Sequence, residues 1–299
     1  MHALSRNPGL WMWSLVVACT SFAPQSTAAE PAAPPKLKGL LITGGCCHDY
    51  ERQKLILTEG LSQRVSIGWN VVHEGDPNDR TYEISIYNRP NWSQGYDVVV
   101  HNECFGSVEN VKFVEQIVRG HTTTGIPAVV VHCSMHTYRA AITDEWRKLL
   151  GVTSRRHEKG GRELKVRPIA AGNPILSRFP ESWTTPGDEL YVIENVWPNC
   201  TPLAAAYGED TRQDHVVMWT NTYGKARVFG TTLGHNNLTM SADVWLDAVS
   251  KGLLWTLGKL NDDGTPAAGF AGTGKRPFSF EAGRARGEPT PASPNPAAK

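Results

Sequence analysis

Two imidazoles and a thiol fall together at His132, Cys133 and His136, directly after an apolar run at residues 128–131. Further reactive groups also follow short apolar runs. His48 and Asp49 come after residues 37–43, His101, Glu103 and Cys104 after residues 96–100, and His235 and Asn237 after residues 227–232. Zinc-like ions take three such ligands and a water, and a shifted imidazole or carboxylate moves protons. His48, His132 and His101 are therefore the candidate ligands of a divalent, zinc-like metal, in a pocket that could equally serve without one. His235 and Glu103 are the candidate acid/base groups, and Asp49, His136, Asn237 and Cys133 the candidate substrate contacts. His132 and His136 are four apart, but Cys133 and not a glutamate follows His132, so this is no zinc-protease helix.

Cys133 invites a nucleophile reading, because it follows a buried run and His235 stands at a later one. A strained nucleophile turn wants small residues two before and two after, and here those are Val131 and Met135. Cys133 is better read as a buried, inert thiol that lines the site. Two stretches carry a bland reading. The pair Asp188-Glu189 could move protons but reads as a solvated turn after Pro186-Gly187, and the charge run at residues 155–159 reads as a solvated loop. Gly44-Gly45 lacks the spacing of either phosphate-loop signature.

These groups need a frame that gathers them. Residues 37–43, 70–73, 96–100 and 125–131 are short apolar runs that read as buried strands. Helical spacing recurs at residues 51–65 and 108–118, with a short helix at 144–150 closed by Gly151. Strand and helix alternate, as in a parallel sheet with right-handed crossovers. That puts the reactive groups at one sheet edge, where open α/β sheets build their sites. Later runs at residues 163–169, 190–194, 203–207, 215–219 and 227–232 are split by turns and suggest antiparallel additions, before a last helix at 242–257. Residues 260–299, rich in Pro, Gly and Ala without periodicity, read as a disordered tail.

The chain has 299 residues and a formal net charge of +1, which argues against a nucleic-acid partner. Residues 10–19 form an apolar segment too short to cross a bilayer. Residues 1–29 read as an export signal ending at small residues, with a Pro/Ala linker at 30–36. The alternative ending is a lipobox that lipidates Cys19, the one route to a membrane. Either places the protein outside the cytoplasm. Without Cys19, five of the six cysteines remain, and their placement is not that of a disulfide framework.

Several pieces together resemble the ThuA-like, trehalose-utilisation family over residues 37–259. They are the His48-Asp49 loop, the run at 96–100, the run into His132, residues 223–235 ending in Leu233-Gly234-His235, and the closing helix. The resemblance implies a flavodoxin-like three-layer α/β sandwich akin to class I glutamine amidotransferases. In that likeness Cys133 takes the nucleophile position and His235 the catalytic histidine, but Asn237 stands where a glutaminase needs Glu. The resemblance further implies carbohydrate metabolism, with isomerisation or hydration of 3-keto-sugars among the activities and metal ions in some members. The leading expectation is an exported enzyme on small carbohydrates. The alternatives are a non-catalytic carbohydrate-binding domain and a degenerate amidotransferase-like scaffold.

Overall fold

In the computed structural model, the structure describes residue 9 and residues 36–279. The expected leader, the Cys19 lipobox and nearly all of the linker lie outside the described residues.

The chain runs β1 (Leu37–Gly45), α1 (Tyr50–Ser62), β2 (Ile67–His73), β3 (Val98–Cys104), α2 (Val111–Thr122), β4 (Ala128–Val131), α3 (Glu145–Leu150) and β5 (Val152–His157). It continues with β6 (Lys165–Pro168), β7 (Trp183–Thr184), β8 (Tyr191–Val196), β9 (Thr201–Gly208), β10 (Gln213–Tyr223), β11 (Ala226–Thr231), α4 (Asn237–Ser241) and α5 (Asp243–Thr256). Nine strands form one sheet in the order β2-β1-β3-β4-β11-β10-β9-β6-β7. From β2 to β11 every pairing is parallel, and from β11 to β7 every pairing is antiparallel.

Helices cover both faces, which explains the unbroken apolar runs of the central strands. Ile56, Leu57 and Leu61 of α1 and Trp245, Val249 and Leu253 of α5 pack on Val98, Val100, Val129 and Val131. Val114, Ile117 and Val118 of α2 and Trp146 and Leu149 of α3 pack on Val99 and Val130. Each such side chain contributes roughly 1.5–3 kcal/mol when fully buried. This is the flavodoxin-like three-layer α/β sandwich expected, with its antiparallel additions in the second half.

Helix starts follow the capping residues. Asp49 accepts from the Arg52 amide at the head of α1, and Asn110 from the Phe113 amide at the head of α2. Gly252 lets α5 approach the sheet, since a Cβ there would lie 2.3 Å from the Phe229 ring.

Three expectations change. The run at 190–194 does not join the large sheet: β8 pairs with β5 in a separate two-stranded sheet. The charge run at 155–159 is partly strand: Arg155, Arg156 and His157 form the exposed end of β5, after the buried Val152, Thr153 and Ser154. Residues 260–279, expected as part of the tail, are ordered on the domain. They are held by a bridge between Val65 and Ala271, with the Ser66 amide bonded to Phe270 O and Phe278 buried in the core. Scattered aromatics anchor the segment without any periodicity to announce it.

Candidate functional site

β1, β3, β4 and β11 are mutually parallel, so their carboxyl ends open on one edge. The sheet order reverses beside β1, a switch point where such sheets leave a crevice. A cavity of about 210 Å³ sits there, lined among others by Cys47, His48, His136, Glu189, Tyr191 and His235.

His48, His132 and His235 come from three separate loops, and one ligand nitrogen from each lies within 4.8 Å of the others. Their rings meet edge to face, with centroids 4.7 Å apart for His48–His132, 5.0 Å for His48–His235 and 5.5 Å for His132–His235. His132 Nδ1 lies 2.6 Å from Thr232 O, and His48 Nδ1 lies 3.2 Å from His235 O. A carbonyl oxygen only accepts, so both Nδ1 atoms carry a proton, and Nε2 is the nitrogen left to bind a metal when the ring is neutral. Burial, then the charges of His132 and His235, push the His48 pKa well below the ordinary imidazole value. A neutral imidazole is what a metal requires.

Glu189 faces this group. Its carboxylate lies 3.6 Å from His132 Nε2 and 3.3 Å from His235 Nδ1. The His235 contact is a close ionic approach without hydrogen-bond alignment, since His235 Nδ1 has no aligned partner among the described residues. Burial opposes ionisation of Glu189, but His132 and His235 together outweigh it and hold the carboxyl far below the usual range. Reciprocally, Glu189 raises the His235 pKa against the effect of burial.

Asp188 is fully buried and fastens the last loop. Its carboxylate accepts from the amides of Gly234 at 2.9 Å, His235 at 3.1 Å and Glu189 at 2.9 Å. The pair Asp188-Glu189 is thus no solvated turn. The signal was two adjacent carboxylates just before β8, but their partners lie some fifty residues away, at His132 upstream and Gly234 and His235 downstream, and left no local trace.

The other expected residues divide. His136 lines the cavity, with its ring stacked on Tyr191 at 3.9 Å and its Nε2 3.0 Å from Ser154 Oγ. Burial and the nearby Arg139 lower its pKa to about 3. Tyr191 also reaches His132 Nε2, at 3.3 Å. Asp49 and Asn237 do not line the cavity: Asp49 caps α1 and takes a 2.8 Å bond from Asn237 Nδ2.

His101 and Glu103 are placed elsewhere. Side chains alternate along β3, and these two point into the layer under α2 and α3, fully buried. His101 Nε2 meets His121 Nε2 at 3.0 Å, and His121 Nδ1 donates to Ile126 O at 2.7 Å. His101 Nδ1 lies 2.9 Å from Glu103 Oε1, which also accepts from Tyr87. Neither reaches the cavity, so His101 does not join the metal trio and Glu103 cannot meet a substrate there.

Cys133 is not a free thiol. It is bonded to Cys104, and Cys46 is bonded to Cys47. Adjacency at the sheet edge brings together cysteines that no spacing rule would pair. Among the described residues Cys200 is the free cysteine, and burial raises its thiol pKa to about 12.

The architecture and this edge define an α/β protein of the amidotransferase-like layered kind. The chain belongs to the ThuA family, described as trehalose utilisation, whose model matches residues 68–256. A ThuA-like protein from Parabacteroides merdae ATCC 43184 is similar in structure at 19% identity and a TM-score of 0.59, covering 79% of this chain and 97% of its own. Another, from Bacteroides uniformis ATCC 8492, is 14% identical with a TM-score of 0.57, covering 80% of this chain and 98% of its own. The glutaminase domain of Trypanosoma brucei CTPS also aligns, at 10% identity and a TM-score of 0.45 over 79% of this chain and all of its own. No curated protein matches the sequence significantly.

Proposed function

We propose that this chain is an enzyme of carbohydrate utilisation that moves protons on a sugar or 3-keto-sugar bound at the His48, His132, His235 and Glu189 edge. The convergence of three imidazoles, two of them against the Glu189 carboxylate, carries the reading.

The donor set fits a divalent, zinc-like metal. His48, His132 and His235 would hold it, with the Nδ1–H groups of His48 and His132 fixed by backbone carbonyls as metal-binding histidines need. Bound there, such an ion supplies a Lewis acid for a carbonyl oxygen. The chain's own residues supply the rest. Glu189 is held ionised and lines the cavity, so it takes the acid/base duty that the sequence assigned to Glu103. A keto group acidifies the neighbouring C–H. Glu189 removes that proton and returns it to the former carbonyl carbon while the proton of the neighbouring hydroxyl passes to the former carbonyl oxygen, which moves the carbonyl, or it gives the proton to a departing hydroxyl, which leaves as water. Tyr191 and His136 form a flat wall for a sugar ring, and the exposed Arg80 and Arg139 line the mouth as hydroxyl donors.

Incubation with 3-keto-glucosides in deuterated water, with and without chelator, tests this directly. Chelator-sensitive C–H exchange seen by NMR is expected. Binding without exchange would favour a carbohydrate-binding module. Elemental analysis showing no stoichiometric metal would remove the metal from the proposal. We also propose export directed by residues 1–29, which mass spectrometry of the mature N-terminus checks, including any lipid on Cys19.

A further inference from the structure

We propose that the Cys46–Cys47 and Cys104–Cys133 disulfides form an exchange relay, in which the outer pair accepts electrons from a dithiol reductant and passes them to the inner pair.

The placement of the four sulfurs carries this. β1 and β3 pair in parallel with Gly45 opposite Cys104, and the Cys46 amide donates to Cys104 O at 3.3 Å. Only glycine allows that approach, because a Cβ on Gly45 would lie 2.3 Å from Cys104 O. The sulfurs of Cys46, Cys47 and Cys104 consequently lie within 4.8 Å of one another, although Cys104 is bonded to Cys133. Two disulfides are thus stacked within reach of exchange.

Access is graded. Cys47 is exposed at the cavity mouth, while Cys46, Cys104 and Cys133 are buried around Tyr50. Arg80 Nη2 lies 3.8 Å from Cys47 Sγ, so a guanidinium draws an incoming thiolate toward that sulfur. An outside thiolate can meet Cys47, whereas Cys104 and Cys133 line the same cavity but are only 4% and 7% exposed.

The exchange balances. One thiolate of the reductant attacks Cys47 Sγ, the Cys46–Cys47 bond breaks and Cys46 leaves as thiolate. The second thiol of the reductant closes its own disulfide and frees Cys47. Cys46 then attacks Cys104 Sγ, a Cys46–Cys104 bond forms and Cys133 leaves as thiolate. Cys47 attacks Cys46 Sγ, restoring the outer disulfide and releasing Cys104. In sum, two electrons and two protons pass from the dithiol to Cys104 and Cys133. The consequence is local: the inner bond ties the end of β3 to the loop that carries His132 and His136, and the relay unties it.

Two measurements test the relay, and neither depends on sugar or metal. In wild-type protein treated with dithiothreitol, quenched alkylation and peptide mapping follow reduction of Cys104–Cys133. The Cys46→Ser/Cys47→Ser variant is expected to slow that reduction by about tenfold or more, because the mediating thiolate is gone. An unchanged rate would show direct attack and overturn the relay. The Cys47→Ser/Cys133→Ser variant retains Cys46 and Cys104 alone of the four. A Cys46–Cys104 disulfide is expected in its non-reduced map after mild oxidation, and two persistent free thiols there would equally overturn it.

Discussion

His132 is held by Thr232, a residue one hundred positions away, through a 2.6 Å bond from its ring Nδ1–H to the main-chain carbonyl. The bond spans β4 and β11, which are neighbours in the sheet, and it aims Nε2 at the other two imidazoles. His132→Ala removes both a ligand and this anchored geometry. Metal affinity is expected to fall by more than the roughly 10–100-fold that losing an outer-shell partner costs. Competition against a chromogenic chelator measures it, and unchanged affinity would exclude His132 from the centre.

Glu189→Gln keeps the shape of the pocket and removes its charge. Proton exchange on a keto-sugar is expected to slow by about 10²–10⁴-fold, the range of general acid–base catalysis. In metal-free protein the His235 pKa, now raised by Glu189, is expected to move down, which NMR titration of the imidazole reads. A rate within twofold of wild type, on the order of experimental scatter, would assign the proton to another group.

The His101–His121 pair makes the fold acid-sensitive. Burial, then the neighbouring His101, lowers the His121 pKa to about 3 from the ordinary 6.5. The unfolded chain therefore binds this proton first as pH falls, and the linked stability is complete above about pH 6.5 and drains away toward about pH 3. Melting temperature is expected to drop between pH 7.5 and pH 4.5, roughly across that window, and His121→Asn is expected to flatten the drop. Parallel profiles for wild type and variant would show that other groups govern the acid response.

Phe278 is buried against the core from a segment that composition marks as tail. Phe278→Ala is expected to cost about 3–5 kcal/mol if the site cannot collapse around the gap. Urea denaturation measures the loss. No change in midpoint would mean that residues 260–279 lie on the domain without stabilising it.

Legibility followed the range of the interaction. The strands, the helices and the shared sheet edge are written in local periodicity, so His48, His132 and His235 could be placed at one site before any distance was known. Strand alternation decides which face a side chain takes. His101 and Glu103 sit three and one residues before Cys104 and fall on the closed face, a parity that the apolar runs on both sides of β3 conceal. Glu189 and the Cys104–Cys133 disulfide depend on contacts between loops far apart in sequence. Asp49 and Asn237 were recognised as polar groups near the site, but nothing in their sequence shows that they bond to each other.

That Asp49–Asn237 bond joins positions 188 residues apart, and the sheet is stitched in the same way, with β11 slotted between β4 and β10. During synthesis His48 leaves the ribosome long before His235. The strand that seats His132 on Thr232 also arrives late. A nascent chain therefore carries half of the His48, His132 and His235 cluster through most of its translation, and the three imidazoles meet only when the last quarter of the domain has docked.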